Sequence, residues 1–128
     1  MSADWKDWAR RVERALDAKT RTDNDFQALF AADGVFVDPT QTASTEDLPE
    51  VSRRTEAIFP DWTTEVTRID GNQGWAVFEW IGRGTFKSTA IEMEGITLVD
   101  VDGQGLVTRW RDYFDMKAVE EQFRSALS

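Results

Sequence analysis

Two residue types are missing from this 128-residue chain, and each absence removes a class of chemistry. Without cysteine there is no disulfide, no thiolate nucleophile and no zinc–thiolate centre. Without histidine there is no imidazole base, no Ser-His-Asp triad and no histidine-ligated metal. Acid–base work therefore falls to Asp, Glu, Lys or the single tyrosine, Tyr113. Basic residues are also scarce, 15 against 24 acidic ones for a net charge of −9, and they are scattered. A surface that tracks phosphates needs the opposite, so nucleic acid is not expected as a partner. No window is long and apolar enough for a membrane span. The opening Met1-Ser2-Ala3-Asp4-Trp5-Lys6 has no basic segment leading into an apolar run, so a soluble, cytoplasmic protein away from membranes is expected. The chain has no internal repeats and no low-complexity tracts.

What the chain does have is bulk: six Trp and eight Phe, more large aromatics than a minimal core demands. Such a composition suits a fold that walls a cavity or presents an aromatic interface. At this length residues 1–128 form one domain, able to bury roughly two-thirds of the unfolded surface.

Apolar spacing then sets the elements. Trp5, Trp8, Ala9, Val12 and Leu16 mark an amphipathic helix to about Ala18, capped by Ser2 or Asp4. Phe26, Leu29 and Phe30 mark a short second helix ending before Asp33-Gly34, and Val35 to Asp38 a short strand stopped by Pro39. Gln41 to Thr45 reads as a loop. Leu48, Val51, Thr55 and Ile58 mark a third helix with Pro49 in its first turn. The period then changes to two. Trp62 to Asp70, Trp75 to Phe86, Ala90 to Val101 and Leu106 to Phe114 read as strands of an antiparallel meander. Gly82 and Gly84 suggest a bulge or bend, and Asp115 caps a last helix carrying Val119, Phe123 and Leu127 on one stripe. Helices followed by a curled antiparallel sheet make an α+β domain.

One carboxylate breaks the pattern. On the last strand Leu106, Thr108, Trp110, Asp112 and Phe114 share a face, opposite Val107, Arg109, Arg111 and Tyr113. Asp112 thus lies on the apolar side. A buried carboxylate is costly unless it is paired, hydrogen-bonded or protonated, so this position implies a polar network or a pocket.

The order of elements resembles the SnoaL-like branch of the nuclear transport factor 2-like superfamily over nearly the whole chain. The residues that carry the likeness are Ala28-Leu29-Phe30-Ala31-Ala32-Asp33, then Val35-Phe36-Val37-Asp38-Pro39, and Trp110-Arg111-Asp112-Tyr113-Phe114-Asp115 at the end. The resemblance implies a sheet curled into a cone, closed by the helices, around a cavity for small, mostly apolar molecules. It also implies relatives that are polyketide cyclases, ketosteroid isomerases, limonene-type epoxide hydrolases or non-catalytic proteins. In the epoxide hydrolases the aspartate at the place of Asp112 helps activate water beside an Arg and a second Asp; Trp80 and Gly82 stand at those two places here, with Arg83 next in line. Asp38 matches the general base of ketosteroid isomerases, whose helix-borne tyrosine falls near Arg14. In SnoaL-like cyclases an Asp acts as acid–base with help from a His, and only the Asp carries over, to Asp112.

The candidate site is therefore Asp112 and Asp38 as acids, with Trp110, Trp80, Phe78, Phe36, Trp62 and Phe114 as walls. Arg83 is a partner for a buried acid or an anionic ligand. Either face of the strand from Trp75 to Phe86 can be the inner one: Phe78 and Trp80 line the cavity, or Trp75, Val77 and Ile81 lie inward with Glu79 as a second enclosed acid. Glu92 and Glu94 read as solvated. The expected partners are a small lipophilic molecule and a second copy of the chain, with no metal or other cofactor. Two functions fit: carboxylate-mediated cyclisation, isomerisation or hydration, and a non-catalytic ligand-binding or dimerisation module.

Overall fold

The structure, a computed structural model, describes residues 4–128. Helix α1 (Trp5–Leu16) opens on Asp4, whose carboxylate accepts the Asp7 N–H at 3.2 Å; the alternative cap, Ser2, lies outside the described residues. The helix stops two residues short of Ala18 because Asp17 turns extended. Its apolar stripe, Trp8, Ala9, Val12 and Ala15, is buried. Strands β1 (Phe30–Asp38) and β2 (Gln41–Ser44) follow, then α2 (Leu48–Ile58), with Pro49 in the first turn, where no backbone N–H is required. The remaining elements are β3 (Thr63–Asn72), β4 (Trp75–Phe86), β5 (Thr89–Val101), β6 (Val107–Phe114) and α3 (Met116–Leu127). The fold class is α+β.

Six strands form one sheet in the order β2-β1-β6-β5-β4-β3. The meander β3 to β6 is antiparallel, but β1 runs parallel to β6, so the sheet is mixed rather than antiparallel throughout. Period-two patterning cannot reveal that pairing, because it fixes faces and not neighbours. Two segments also differ from their sequence reading. Phe26, Leu29 and Phe30 do not make a helix beyond one 3₁₀ turn at Gln27–Leu29; Phe30 already starts β1, pairing with Val107. All three side chains are buried, so their spacing reports a shared core and not a helical face. Gln41 to Ser44 is β2, not a loop, pairing with β1 across the Pro39-Thr40 turn and burying Ala43.

The sheet is irregular at three places. Register shifts occur in β1 between Phe30 and Val35, in β3 between Val66 and Arg68, and where β5 meets β6 at Val101. The last one breaks the alternation, so Val107 is fully buried while Leu106 and Thr108 are only half-buried. In the first, Gly34 is forced by space: a Cβ there would lie 2.8 Å from both Thr45 Oγ1 and the Val107 carbonyl oxygen. Gly82 and Gly84, by contrast, make no bulge. The β4–β5 register is unbroken from Trp75 to Phe86, and the two glycines make room for the rings of Trp62 and Phe59.

The core centres on Trp110, 2% exposed, whose ring meets Phe26, Phe78, Phe30 and Trp8 at centroid distances of 4.9, 5.5, 5.9 and 6.1 Å. Each such pair contributes about 0.5–1.5 kcal/mol beyond its buried area. Asp115 caps α3 by accepting the N–H groups of Lys117 and Ala118. Val119 is buried, Phe123 packs tilted against Phe59 and edge-on against Phe86, and Leu127 stays exposed at the end of the stripe. Gln122 clamps the backbone of Glu92, accepting its N–H at 2.8 Å and donating to its carbonyl at 2.7 Å.

A methyl group at position 82 would sit 2.3 Å from Trp62 Cζ2, so Gly82→Ala must dislodge that ring. We expect a stability loss of about 1–3 kcal/mol in urea unfolding, with unchanged far-ultraviolet circular dichroism and altered tryptophan fluorescence. A neutral substitution would contradict this packing.

Candidate functional site

The inner face of the sheet and the two N-terminal helices enclose a cavity of about 210 Å³. Its walls include Phe36 from β1, Phe78 and Trp80 from β4, Trp110 and Phe114 from β6, and Trp62 just ahead of β3. Phe78 and Trp80 are therefore the inward residues of β4; Trp75 and Glu79 are exposed on the outer face with Val77 and Ile81 beside them. Glu92 and Glu94 are exposed.

Asp112 lines the cavity and is half-buried. Its Oδ1 accepts two hydrogen bonds, from the Thr97 hydroxyl at 2.5 Å and from the Trp110 indole N–H at 2.7 Å. Thr97 is fully buried and itself accepts the Trp80 indole N–H at 2.8 Å. Trp80 reaches Thr97 because the β4 residue pairs with Gly95, where a Cβ would lie 2.2 Å from Trp80 Cζ2. Burial pushes the Asp112 carboxyl up from its ordinary 3.8 to about 7; the bonds from Thr97 and Trp110 pull the other way, and the negative charge of Asp38 adds to the rise.

Asp38 lies at the cavity wall, half-buried at the end of β1. Both its oxygens are engaged by the following turn: Oδ1 accepts the Thr40 N–H and hydroxyl at 2.7 Å each, and Oδ2 accepts Gln41 Nε2 at 3.1 Å. Arg83 lies elsewhere, and its expectation as a pocket residue is corrected. β4 alternation puts it on the outer face, 45% exposed, paired with Glu65 at 3.0 Å and Glu92 at 3.3 Å. The guanidinium that does reach the cavity wall is Arg21, whose side chain is only 5% exposed. It donates to Glu56 at 2.6 Å, to the Ser52 carbonyl at 2.9 Å and, more weakly, to Asp23 at 3.4 Å. Thr97, Gly95 and Arg21 were not singled out from the sequence. Thr97 sits in plain alternation on β5 with nothing to mark it, and Arg21 is defined by a partner 35 residues away.

Among the described residues no group of three His, Cys, Asp or Glu side chains is placed to hold a metal ion, and no helix is long and apolar enough to cross a membrane.

A SnoaL-like domain family model matches residues 9–116. The chain belongs to the SnoaL-like domain family. Similar solved structures share the fold at low identity. A Catenulispora acidiphila protein with a ketosteroid isomerase-like fold, in complex with trimethylamine, is 24% identical with a TM-score of 0.79, and the match covers 88% of each chain. A candidate polyketide cyclase of Streptomyces antibioticus is 18% identical at TM-score 0.78, over 94% of this chain and 99% of that one. An LEH-like epoxide hydrolase of M. tuberculosis is 19% identical at TM-score 0.73, over 95% and 92%. No curated protein matches the chain. Structures with such different names share this fold, so the fold by itself does not decide the chemistry.

The raised pKa of Asp112 fixes a sign for stability. The folded state holds this proton more tightly than the unfolded chain, so the carboxyl costs nothing below pH 3.8 and progressively more as pH rises to about 7. At ~1.4 kcal/mol per pH unit the cost is at most about 4 kcal/mol, reduced because the side chain is not fully enclosed. Asp25 and Asp61, held below the usual range by bonds from Thr22 and Thr85, act in the opposite sense and in the separate window below pH 4. Denaturant unfolding should show Asp112→Asn gaining on the wild type steadily between pH 4 and 7 and exceeding it in stability above pH 7. A constant difference across that range would mean that Asp112 has an ordinary acidity.

Proposed function

We propose that this SnoaL-like protein carries out acid–base chemistry on a small lipophilic molecule, with Asp112 moving the proton. The observation that supports this most is the asymmetry of its carboxyl: Oδ1 is held by two donors, whereas Oδ2 has no hydrogen-bond partner among the described residues and is not a sealed-off atom. A general acid–base works best with an acidity near ambient pH, and burial brings Asp112 there.

The composition of the wall narrows the reaction. Epoxide hydration in the manner of the limonene-type enzymes asks for a second acid opposite the water, and the matching places hold Trp80 and Gly82. Asp38 is engaged by Thr40 and Gln41, so it shapes the field around Asp112 instead of exchanging protons. One acid that can both take and return a proton favours isomerisation or cyclisation over hydration. The cavity, about 210 Å³, is below the ~300–1,000 Å³ of drug-sized pockets, so monoterpenoid-sized carbonyl compounds suit it better than steroids.

A second reading, a non-catalytic binding module, draws on the same cavity. Aromatic walls, two carboxylates and an arginine whose charge is taken up by Glu56 and Asp23 suit a compact amine, and the Catenulispora relative was solved with trimethylamine. In both readings a second copy of the chain is the expected cover for the outer sheet face, where Trp75, Ile96 and Tyr113 are 44%, 45% and 54% exposed.

A panel of compact ketones, β-dicarbonyl compounds and amines, with steroids as the oversized set, separates the readings by thermal shift and product analysis. A bound compact ligand at a hundred times its Kd should add about 3 kcal/mol of stability. Turnover of a carbonyl compound that falls at least ~100-fold in Asp112→Asn supports the enzyme. Binding of an amine without turnover supports the module, and no shift with any compact compound would contradict both.

A further inference from the structure

Which of its two oxygens lets Asp112 exchange a proton is decided by three neighbouring side chains of the cavity wall, Thr97, Trp80 and Trp110. An indole N–H can only donate. Trp80 Nε1 therefore fixes the Thr97 hydroxyl oxygen as its acceptor at 2.8 Å, and Trp110 Nε1 fixes Asp112 Oδ1 as its acceptor at 2.7 Å. The Thr97 hydroxyl carries one proton, lies in a fully buried residue, and has Asp112 Oδ1 as its one acceptor among the described residues. Were the carboxylic proton on Oδ1, it would face an indole N–H and leave the Thr97 proton with no acceptor in the interior, which is unfavourable. Both arrangements that keep the Thr97 and Trp110 donors paired, the carboxylate and the neutral acid protonated at Oδ2, keep the same two bonds to Oδ1.

From this geometry we infer that Thr97 is a positioning residue: held by Trp80, it locks Oδ1 as a permanent acceptor together with Trp110, so that Asp112 gains and loses its proton only at Oδ2. Protonation then needs no rearrangement of hydrogen bonds around Oδ1. That is preorganisation, with the donors fixed before charge appears. Gly95 belongs to the same device, because any side chain there would occupy the seat of the Trp80 ring. The other charged groups on the cavity wall, Asp38 and Arg21, are held by their own partners: Asp38 by Thr40 and Gln41, and Arg21 by Glu56, Asp23 and the Ser52 carbonyl. The role in catalysis rests on the proposed acid–base reading, but the lock itself is a property of the free protein and is tested without any substrate.

The test is infrared difference spectroscopy and carbon-13 titration of the Asp112 carboxyl, assigned by subtracting Asp112→Asn. With the proton on Oδ2, the carbonyl of the neutral acid is C–Oδ1, carrying two hydrogen bonds, and its stretch lies low. Thr97→Val removes one donor: the band should move to higher frequency at pH 5, and the titration midpoint should rise by about one pH unit, roughly tenfold in acidity. Thr97→Ser keeps the hydroxyl and should restore both values, which a merely packing role for the threonine would not produce. Gly95→Ala should move both in the direction of valine. If the valine variant does not fold, Trp110→Phe removes the other donor and carries the same expectation. A band and midpoint unmoved by loss of either donor, or a serine variant that behaves as valine does, would overturn the lock. Failure to find turnover would overturn the acid–base reading and leave these spectra unchanged.

Discussion

Everything distinctive about this molecule follows from holding one carboxyl among aromatic rings. A carboxylate placed on the inner face of a sheet loses its hydration, and the chain offsets that loss with donors that are themselves part of the core. Trp110 is the clearest case. Its ring is the hub against which Phe26, Phe30, Phe78 and Trp8 pack, and its N–H is one of the two donors to Asp112. Core and site therefore share a residue, and the geometry of the acid is as rigid as the packing around it. The donors do not cancel the desolvation, which leaves the carboxyl poised near neutrality instead of in the ordinary carboxylate range.

The shared fold says little about chemistry, since structures named as ketosteroid isomerase-like, polyketide cyclase and LEH-like epoxide hydrolase all match over most of their length. Here Asp38 is engaged by Thr40 and Gln41, and the cationic side chain at the wall, Arg21, is paired with Glu56 and Asp23. Of the two acids on the cavity wall, Asp112 alone keeps an oxygen without a hydrogen-bond partner among the described residues.

Much of this was legible in the sequence because strand alternation is a local code. It placed Asp112 beside Trp110 and Phe114, turned Tyr113 outward, and marked α1 and α2 by their apolar spacing. What was not legible depended on contacts between distant segments. The parallel pairing of β1 with β6 is invisible to any window, and so was the strand character of Gln41 to Ser44, which exists because β1 lies next to it. Gly82 and Gly84 were readable as exceptional but not as seats for Trp62 and Phe59. Arg83 was expected in the pocket because it neighbours the matched positions on β4, yet a one-residue step along a strand reverses the face. Thr97 carried no signal at all, since a threonine in a strand is ordinary until the residue opposite it is an aspartate.

The most direct test is the titration of the Asp112 carboxyl in the unmodified protein, followed by carbon-13 chemical shift from pH 3 to pH 9 with Asp112→Asn for assignment. The account predicts a midpoint near 7, set by burial and moderated by the Thr97 and Trp110 donors. A midpoint near the ordinary ~4 of an aspartate would show a hydrated, unremarkable carboxylate, and would contradict the central claim that the fold holds a protonatable acid in its cavity.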